Sequence, residues 1–356
     1  MGTGNNINSN LISIIVPIYN GGDYIDRCVG SILKQTYTEW ELLLMDGASS
    51  DDSPQLCDEW QRRDKRIRAF HSERNRGVSE GRNMGLREAS GAYIMFVDVD
   101  DWLLPDCLQR LYDDIQKPGV QIAGCGFISC TDEDRKEQLS DIKTATMSGV
   151  DASRNEYRNK PNVRLIAGKD FLREGILKRD TRCWSKLYKR ELIEGHFFNE
   201  AYTIGEDMLF VWETAREAEL ISSSDYKGYC YYRNVNGAML KRFRESDIDQ
   251  IRCWQFLLQS LFAENGKEEK YDTDVIIATA TNLLISCMLV AGKLAMLPGE
   301  ERRQYADINK QCRDVLKETL RIKGAYAGLD KSYRIKVSLY KLFSDLYLNL
   351  YHILKR

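Results

Sequence analysis

Three aspartates, Asp98, Asp100 and Asp101, close the greasy run in "MFVDVDDWLLPD", Met95 to Asp106. Carboxylates this close repel one another unless a positive group sits among them. In a strand, residues two apart share a face, so Asp98 and Asp100 point the same way if extended geometry persists, with Asp101 turned off. Two carboxylates on one side suit a hard divalent ion, Mg²⁺ or Mn²⁺, which keeps positions open for water and phosphate oxygens. The same acids equally suit a solvated loop capping the helix that starts near Pro105. A second acid pair, Glu206-Asp207 in "YTIGEDMLFVWETA" (202–215), precedes an amphipathic helix. It reads as N-terminal acid enrichment on residue type alone.

The elements that must position these acids alternate regularly. Apolar runs at 11–19, 40–46 and 92–98 predict strands, and 66–72 a weaker one. Between them, 23–35, 53–64, 78–90 and 105–117 carry helical spacing, with Ile25, Cys28, Val29, Ile32 and Leu33 on one face of the first. Ser53-Pro54 suits an N-cap and first turn. Strand–helix alternation with near-continuous apolar strands predicts a mostly parallel sheet covered on both faces. Ligands bind such sheets outside the carboxyl ends of the strands. Tyr19-Asn20, Asp46 and the acid triplet would meet there. Residues 131–162 read as a polar excursion, and the text from about 240 onward is helical over 241–264, 272–297, 300–322 and 331–355.

The 356 residues carry a formal net charge of −2, with 29% charged and 43% apolar residues, the composition of an ordinary globular protein. No basic bias supports a nucleic-acid partner. Ten cysteines without a CxxC pair, and three histidines, argue against structural zinc and suit reduced, buried thiols in the cytoplasm. The polar N-terminus, 1–10, is read as disordered and lacks a signal-peptide pattern. Val275 to Gly292 is uncharged and near the minimum spanning length, but Thr279, Thr281, Asn282 and Ser286 favour a buried helix. In 331–356, Ile335, Leu339, Leu342, Phe343, Leu346, Leu350 and Ile353 fall on one face among Lys331, Arg334, Lys336, Lys341, Lys355 and Arg356. Such a helix either packs on its domain or makes peripheral contact with an anionic membrane.

"IVPIYNGGDYIDRCVGSILKQTYTEWELLLMDGASSDDS" and "ERNRGVSEGRNMGLREASGAYIMFVDVDDWLLPD" together closely resemble bacterial family 2 glycosyltransferases of the GT-A fold. The resemblance covers 11–117 strongly and reaches weakly to about 235. It implies a nucleotide-sugar donor at the strand ends, with Pro17, Tyr19 and Asn20 lining the base and ribose pocket. It matches Asp46 to the first acid of "VDDGSTD" and Arg82-Asn83 to "ARN" beside the nucleotide. Asp98 would approach ribose or metal, and Asp100 would hold Mn²⁺ or Mg²⁺ at the diphosphate. Asp46-Gly47-Ala48-Ser49 stands where the family often reads Asp-Asp-Gly-Ser, so Gly47 removes a contact to the base. The family's E-D pair supplies the catalytic base, which points to Asp207, with Glu206 second. "CWSKLYKRE" and "YYRNVNGAM" resemble later family segments, making Trp184, Lys186 and Arg233 acceptor or phosphate candidates.

The expected architecture is a GT-A domain over 11–235, with a nucleotide-sugar half at 11–117 and an acceptor half at 118–235. A helical domain follows at 240–356. The expected activity is that of an inverting, metal-dependent, hexosyl-type transferase. It would move a sugar from a UDP-linked donor to a glycan or lipid-linked oligosaccharide in capsule or exopolysaccharide synthesis. Two alternatives stand beside it. One is a non-catalytic nucleotide-sugar or glycan binder on the same scaffold. The other is an aspartate-nucleophile phosphotransferase of D-x-D-G-T type, although Asp101 and Trp102 replace the Gly and Thr.

Overall fold

The computed structural model describes residues 8–132, 161–234, 242–266 and 271–355. Most of the segment expected to be disordered (1–10) and most of the excursion (131–162) lie outside these residues; Asn8–Asn10 belong to the first strand. Two compact units divide the chain: Met1–Phe171 with Thr181–Glu200 and Phe210–Gly237, and Leu172–Asp180 with Ala201–Leu209 and Ala238–Arg356.

The first unit is built on one mixed sheet. Its alternating part is β1 (Asn8–Ile18), α1 (Gly22–Leu33), β2 (Trp40–Asp46), α2 (Ser53–Arg63), β3 (Ile67–His71), α3 (Val78–Glu88) and β4 (Gly91–Phe96). Then follow β5 (Trp102–Leu103), α4 (Cys107–Ile115), β6 (Val120–Cys130), β7 (Val163–Ala167), α5 (Phe171–Glu174), β8 (Lys186–Lys189), α6 (Arg190–Ile193), α7 (Glu206–Ala215) and β9 (Leu220–Tyr232). The division between units runs through α5 and α7. Strand order is β3-β2-β1-β4-β8-β6-β9-β5, with β7 on β9. The first four strands are parallel, as their buried runs predict. β8 runs antiparallel to both β4 and β6, and it is here that the sheet becomes mixed.

Helix α3 lies tight on β1 because glycine faces it. A Cβ on Gly85 would come within 2.3 Å of Ile15 Cγ2, and one on Gly81 within 3.3 Å of Pro17 Cβ. That approach seats Arg82 and Asn83 under the sheet edge. Ser53 is not the N-cap of α2: Asp52 holds that position, and the buried Ser53 hydroxyl accepts from the Gly21 N–H at 2.9 Å.

The second unit contains α8 (Asp249–Asn265), α9 (Thr273–Ala295), α10 (Gly299–Arg303), α11 (Ala306–Thr319), α12 (Lys331–Leu342) and α13 (Ser344–Lys355). Two expected long helices are broken, between α10 and α11 and at Phe343 (φ −139°, ψ 64°) between α12 and α13. Helix α9 packs against α8, α11, α12 and α13. Among the described residues it is the helix long and apolar enough to cross a membrane, yet 67% of its apolar window is buried within the structure. Thr279, Thr281 and Asn282 donate to the carbonyls of Val275, Ile277 and Ala278 at 2.8–3.0 Å. Its polar groups are thus satisfied locally, which suits a buried core helix.

Candidate active site

Sheet register sets the edge. Ile18 pairs with Asp46 and Asp46 with His71, so the carboxyl ends of β1, β2 and β3 lie level. The two loops above them are joined by backbone donors. Asn20 N–H donates to Ser49 Oγ (2.9 Å), Gly22 N–H to Asp51 Oδ2 (3.0 Å), and Ser50 N–H to Asn20 Oδ1 (2.8 Å). Asn20 therefore spends its amide oxygen on the neighbouring loop, and its φ of 50° is one that Asn tolerates. Tyr19 presents its ring beside this junction, 53% exposed, while Pro17 is half-buried in the strand.

Asp46 is 1% exposed and serves the loop rather than the surface. Its Oδ1 accepts from Ser49 N–H at 3.2 Å, and its Oδ2 meets His71 Nδ1 at 3.1 Å. His71 Nε2 lies 3.1 Å from Asp58. Burial disfavours the His71 cation, but the bonds to Asp46 and Asp58 outweigh it and raise its pKa. In Asp46-Gly47-Ala48-Ser49 the left-handed residue is Ala48 (φ 59°), at the place where the family often has Gly. Gly47 instead sits 3.3 Å (from an added Cβ) below the Ile18 carbonyl.

The three acids part company. β4 ends at Phe96, so strand geometry does not carry Asp98 and Asp100 onto one face. They occupy a turn closed by Asp101 N–H donating to the Asp98 carbonyl at 3.0 Å. Asp98 Oδ1 accepts from Arg82 Nη2 at 2.9 Å; Arg82 is 3% exposed and lies against the Phe198 ring. Asp101 is fully buried. Its oxygens accept from Tyr229 Oη at 2.6 Å and Tyr232 N–H at 2.8 Å. Burial, then the charges of Asp98 and Asp100, push its carboxyl well above the usual range. Asp100 is half-buried and takes a long bond, 3.3 Å, from Asn234 Nδ2. Burial raises its pKa too.

Among the described residues no group of three or more His, Cys, Asp or Glu side chains is arranged to hold a metal. A site with one carboxylate is a different case, because Mg²⁺-type ions are often held by one or two carboxylates plus substrate phosphates. Asp100 fits that role. It is weakly bonded, follows the carboxyl end of β4, and is held reluctant to ionise by burial, which a cation would reverse. Asp98 fits less well, since Arg82 already neutralises it.

Other expected site residues fall as follows. The Asn83 amide clamps the backbone of Phe198, donating to its carbonyl at 2.9 Å and accepting from its N–H at 2.8 Å. Trp184 is 5% exposed and stacked on Tyr229 and Tyr231, so its face is covered. Lys186 is buried rather than a surface charge, and its Nζ donates to the Arg182 carbonyl at 2.9 Å. Arg233 is exposed beside Asn234. Glu206 and Asp207 open α7 in the part of the chain that groups with the second unit.

Four contributors escaped the sequence reading: His71, Arg27, Tyr229 and Asn234. Arg27 lies 4.1 Å from the Trp102 ring centroid and donates to the Asp100 carbonyl. The Tyr229 hydroxyl accepts from Asp98 N–H at 3.2 Å and donates to Asp101, tying both ends of the acid turn. Tyr229→Phe is expected to lower stability by about 1–3 kcal/mol, because both partners are left short of a bond in a buried setting. Denaturant unfolding at unchanged m reads this directly, and an unchanged midpoint would count against the linkage.

The mixed sheet with its flanking helices is the GT-A fold. TarS from S. aureus, solved in complex with UDP-GlcNAc, matches with a TM-score of 0.65 at 18% identity, over 96% of this chain and 90% of that one. The mannosyltransferase PcManGT from Pyrobaculum calidifontis, in complex with GDP-Man and Mn²⁺, matches with 0.50 at 17% identity, over 95% and 88%. An uncharacterised glycosyltransferase, EpsJ of Bacillus subtilis (strain 168), is 34% identical over 232 residues, 64% of this chain and 62% of that protein. The match thus spans under two thirds of EpsJ. The model of glycosyl transferase family 2 covers residues 13–193, just over half of the chain, and the protein belongs to that family.

Proposed function

We propose that this family 2 glycosyltransferase takes a hexose from a UDP-sugar and passes it, with inversion, to a hydroxyl of a growing glycan. The acceptor would be lipid-linked and the product a bacterial surface polysaccharide such as a capsule or exopolysaccharide, made in the cytoplasm. The observation that carries the reading is Asp100, a half-buried carboxylate at the strand edge with a long protein contact. Tyr19 would stack on the base, and the joined loops at Asn20 and Ser49–Asp51 would frame the ribose. Arg82 would hold Asp98 in place, and Asn83 would hold the Phe198 segment, so both act as positioning residues. Asp100 would hold Mn²⁺ or Mg²⁺, which when bound supplies positive charge against the diphosphate leaving group. Asp207 would take the proton of the attacking hydroxyl, and the exposed Arg233 would meet the acceptor or the phosphates, whereas Trp184 and Lys186 are already occupied by Tyr229, Tyr231 and the Arg182 carbonyl. TarS and PcManGT support the donor class, being solved with UDP-GlcNAc and with GDP-Man plus Mn²⁺.

A melting-temperature panel of nucleotide-sugars with Mn²⁺ tests this. At a donor concentration of about 100 Kd the gain is about 2.7 kcal/mol, a rise of about 4 °C for a chain of this length. UDP-sugars should give that rise and a chelator should erase it. A preference for GDP- or CMP-sugars would overturn the base assignment, and no shift with any of them would remove the donor reading. Slow UDP release without acceptor would separate an enzyme from a binder.

A further inference from the structure

The seven apolar residues of 331–355 that share a face in the sequence are all exposed. On α12 the buried side is Val337 and Tyr340, each 0% exposed, while Ile335, Leu339 and Leu342 point outward, Leu342 at 67%. On α13 the buried side is Tyr347 and Leu348, and Leu346, Leu350 and Ile353 point outward, Ile353 at 69%. Phe343 at the break and Leu354 near the end are exposed as well. Each helix is thus apolar on two opposite sides, one of them already in use.

The used sides are pinned. Tyr340 Oη donates to Asn309 Oδ1 at 2.5 Å, Arg313 meets Ser344 at 3.1 Å, and His352 Nδ1 lies 2.8 Å from the Ala295 carbonyl. Rotating either helix to hide its outer stripe would break these bonds and expose the tyrosines. An outward apolar face of this extent on a folded unit marks an interaction surface.

Charge says what covers it. Residues 331–356 hold six basic residues against Asp345, a surplus of five in a chain of net −2, which leaves −7 on the other 330 residues. Lys331, Arg334 and Lys341 are exposed on α12 and Lys355 on α13, the helices that carry the stripes. A second copy docking through the same face would bring these cations against their own duplicates. An anionic bilayer accepts both features at once, aliphatic side chains at the acyl boundary and lysines at the headgroups. We propose that α12 and α13 form an in-plane docking face for anionic phospholipid membranes.

The test is co-sedimentation of the full-length protein with vesicles of phosphatidylglycerol mixed with phosphatidylcholine, and with phosphatidylcholine alone. The mixed vesicles should bind at least tenfold more tightly. Leu342→Asp with Ile353→Asp should lose at least tenfold in binding. Lys331→Gln with Lys341→Gln and Lys355→Gln should do the same and flatten the salt dependence. All five side chains are exposed, and thermal melts check that the fold survives; Ile353→Ser with Leu354→Ser is the milder pair if it does not. Failure of the wild type to bind, or equal binding by the apolar variants, would overturn the proposal. So would a concentration-dependent dimer that Leu342→Asp with Ile353→Asp dissolves without lipid. No readout depends on the sugar donor, so this result stands or falls apart from the transferase reading.

Discussion

Asp207→Asn is expected to fold and bind donor normally while losing about 10²–10⁴-fold in transfer. The carboxamide keeps the size and hydrogen-bonding reach of the side chain but accepts no proton, so the attacking hydroxyl loses its base. Asp207 sits in the first turn of α7, where the helix end favours a negative charge. Neutralising it there should cost stability by no more than about 1 kcal/mol. Glu206 supplies the contrast: it is 7% exposed, so Glu206→Gln should register first in the melting curve. Single-turnover transfer with saturating donor separates the two variants. Full transfer by Asp207→Asn would move the base to Glu206 or elsewhere.

While the edge strand β3, with one buried residue in five, reads more weakly, the parallel half of the fold was legible because β1, β2 and β4 are buried on both faces and read as apolar runs. The register that levels Ile18, Asp46 and His71 was not, since hydrophobic pattern marks a strand but not its neighbour's offset. Nor was the antiparallel β8, four residues long. The acids were found by type and spacing, but their division of labour was hidden, because it depends on residues far away in sequence. Tyr229 ties Asp98 to Asp101 across about 130 positions, and nothing local in its strand announces that. Arg27 was hidden for a different reason. Helical spacing puts it on the polar side of α1, yet it is 1% exposed among Tyr24, Trp102 and Tyr232. Asn234 adjoined the flagged Arg233, and the smaller neighbour makes the contact to Asp100. At the C-terminus the stripe was read on one continuous helix, whereas the chain breaks at Phe343 and carries a stripe on each half, and periodicity alone says nothing of whether a stripe is turned in or out. Here it is turned out, and Tyr340 and Tyr347 occupy the inner side.

Asp100→Ala should remove the chelator-sensitive part of donor affinity and lower kcat/KM at least a hundredfold, with little change in stability. The three acids hold different partners. Asp101→Ala takes both bonds from the buried Tyr229 and Tyr232 groups, at about 1–3 kcal/mol for each. Asp98→Ala removes a charged hydrogen bond from the buried Arg82, a loss of about 1.5–3 kcal/mol. Both variants should therefore register in the melt. Asp100 is different: its side chain takes a 3.3 Å contact, and its backbone carbonyl, which Ala retains, is what receives Arg27. Loss of activity at an intact melting temperature is thus the signature that separates a donor-binding acid from a structural one. Donor affinity measured with and without chelator completes the case: the two values should differ in the wild type and coincide in Asp100→Ala. If they differ equally in both, the cation is held elsewhere and Asp100 leaves the site.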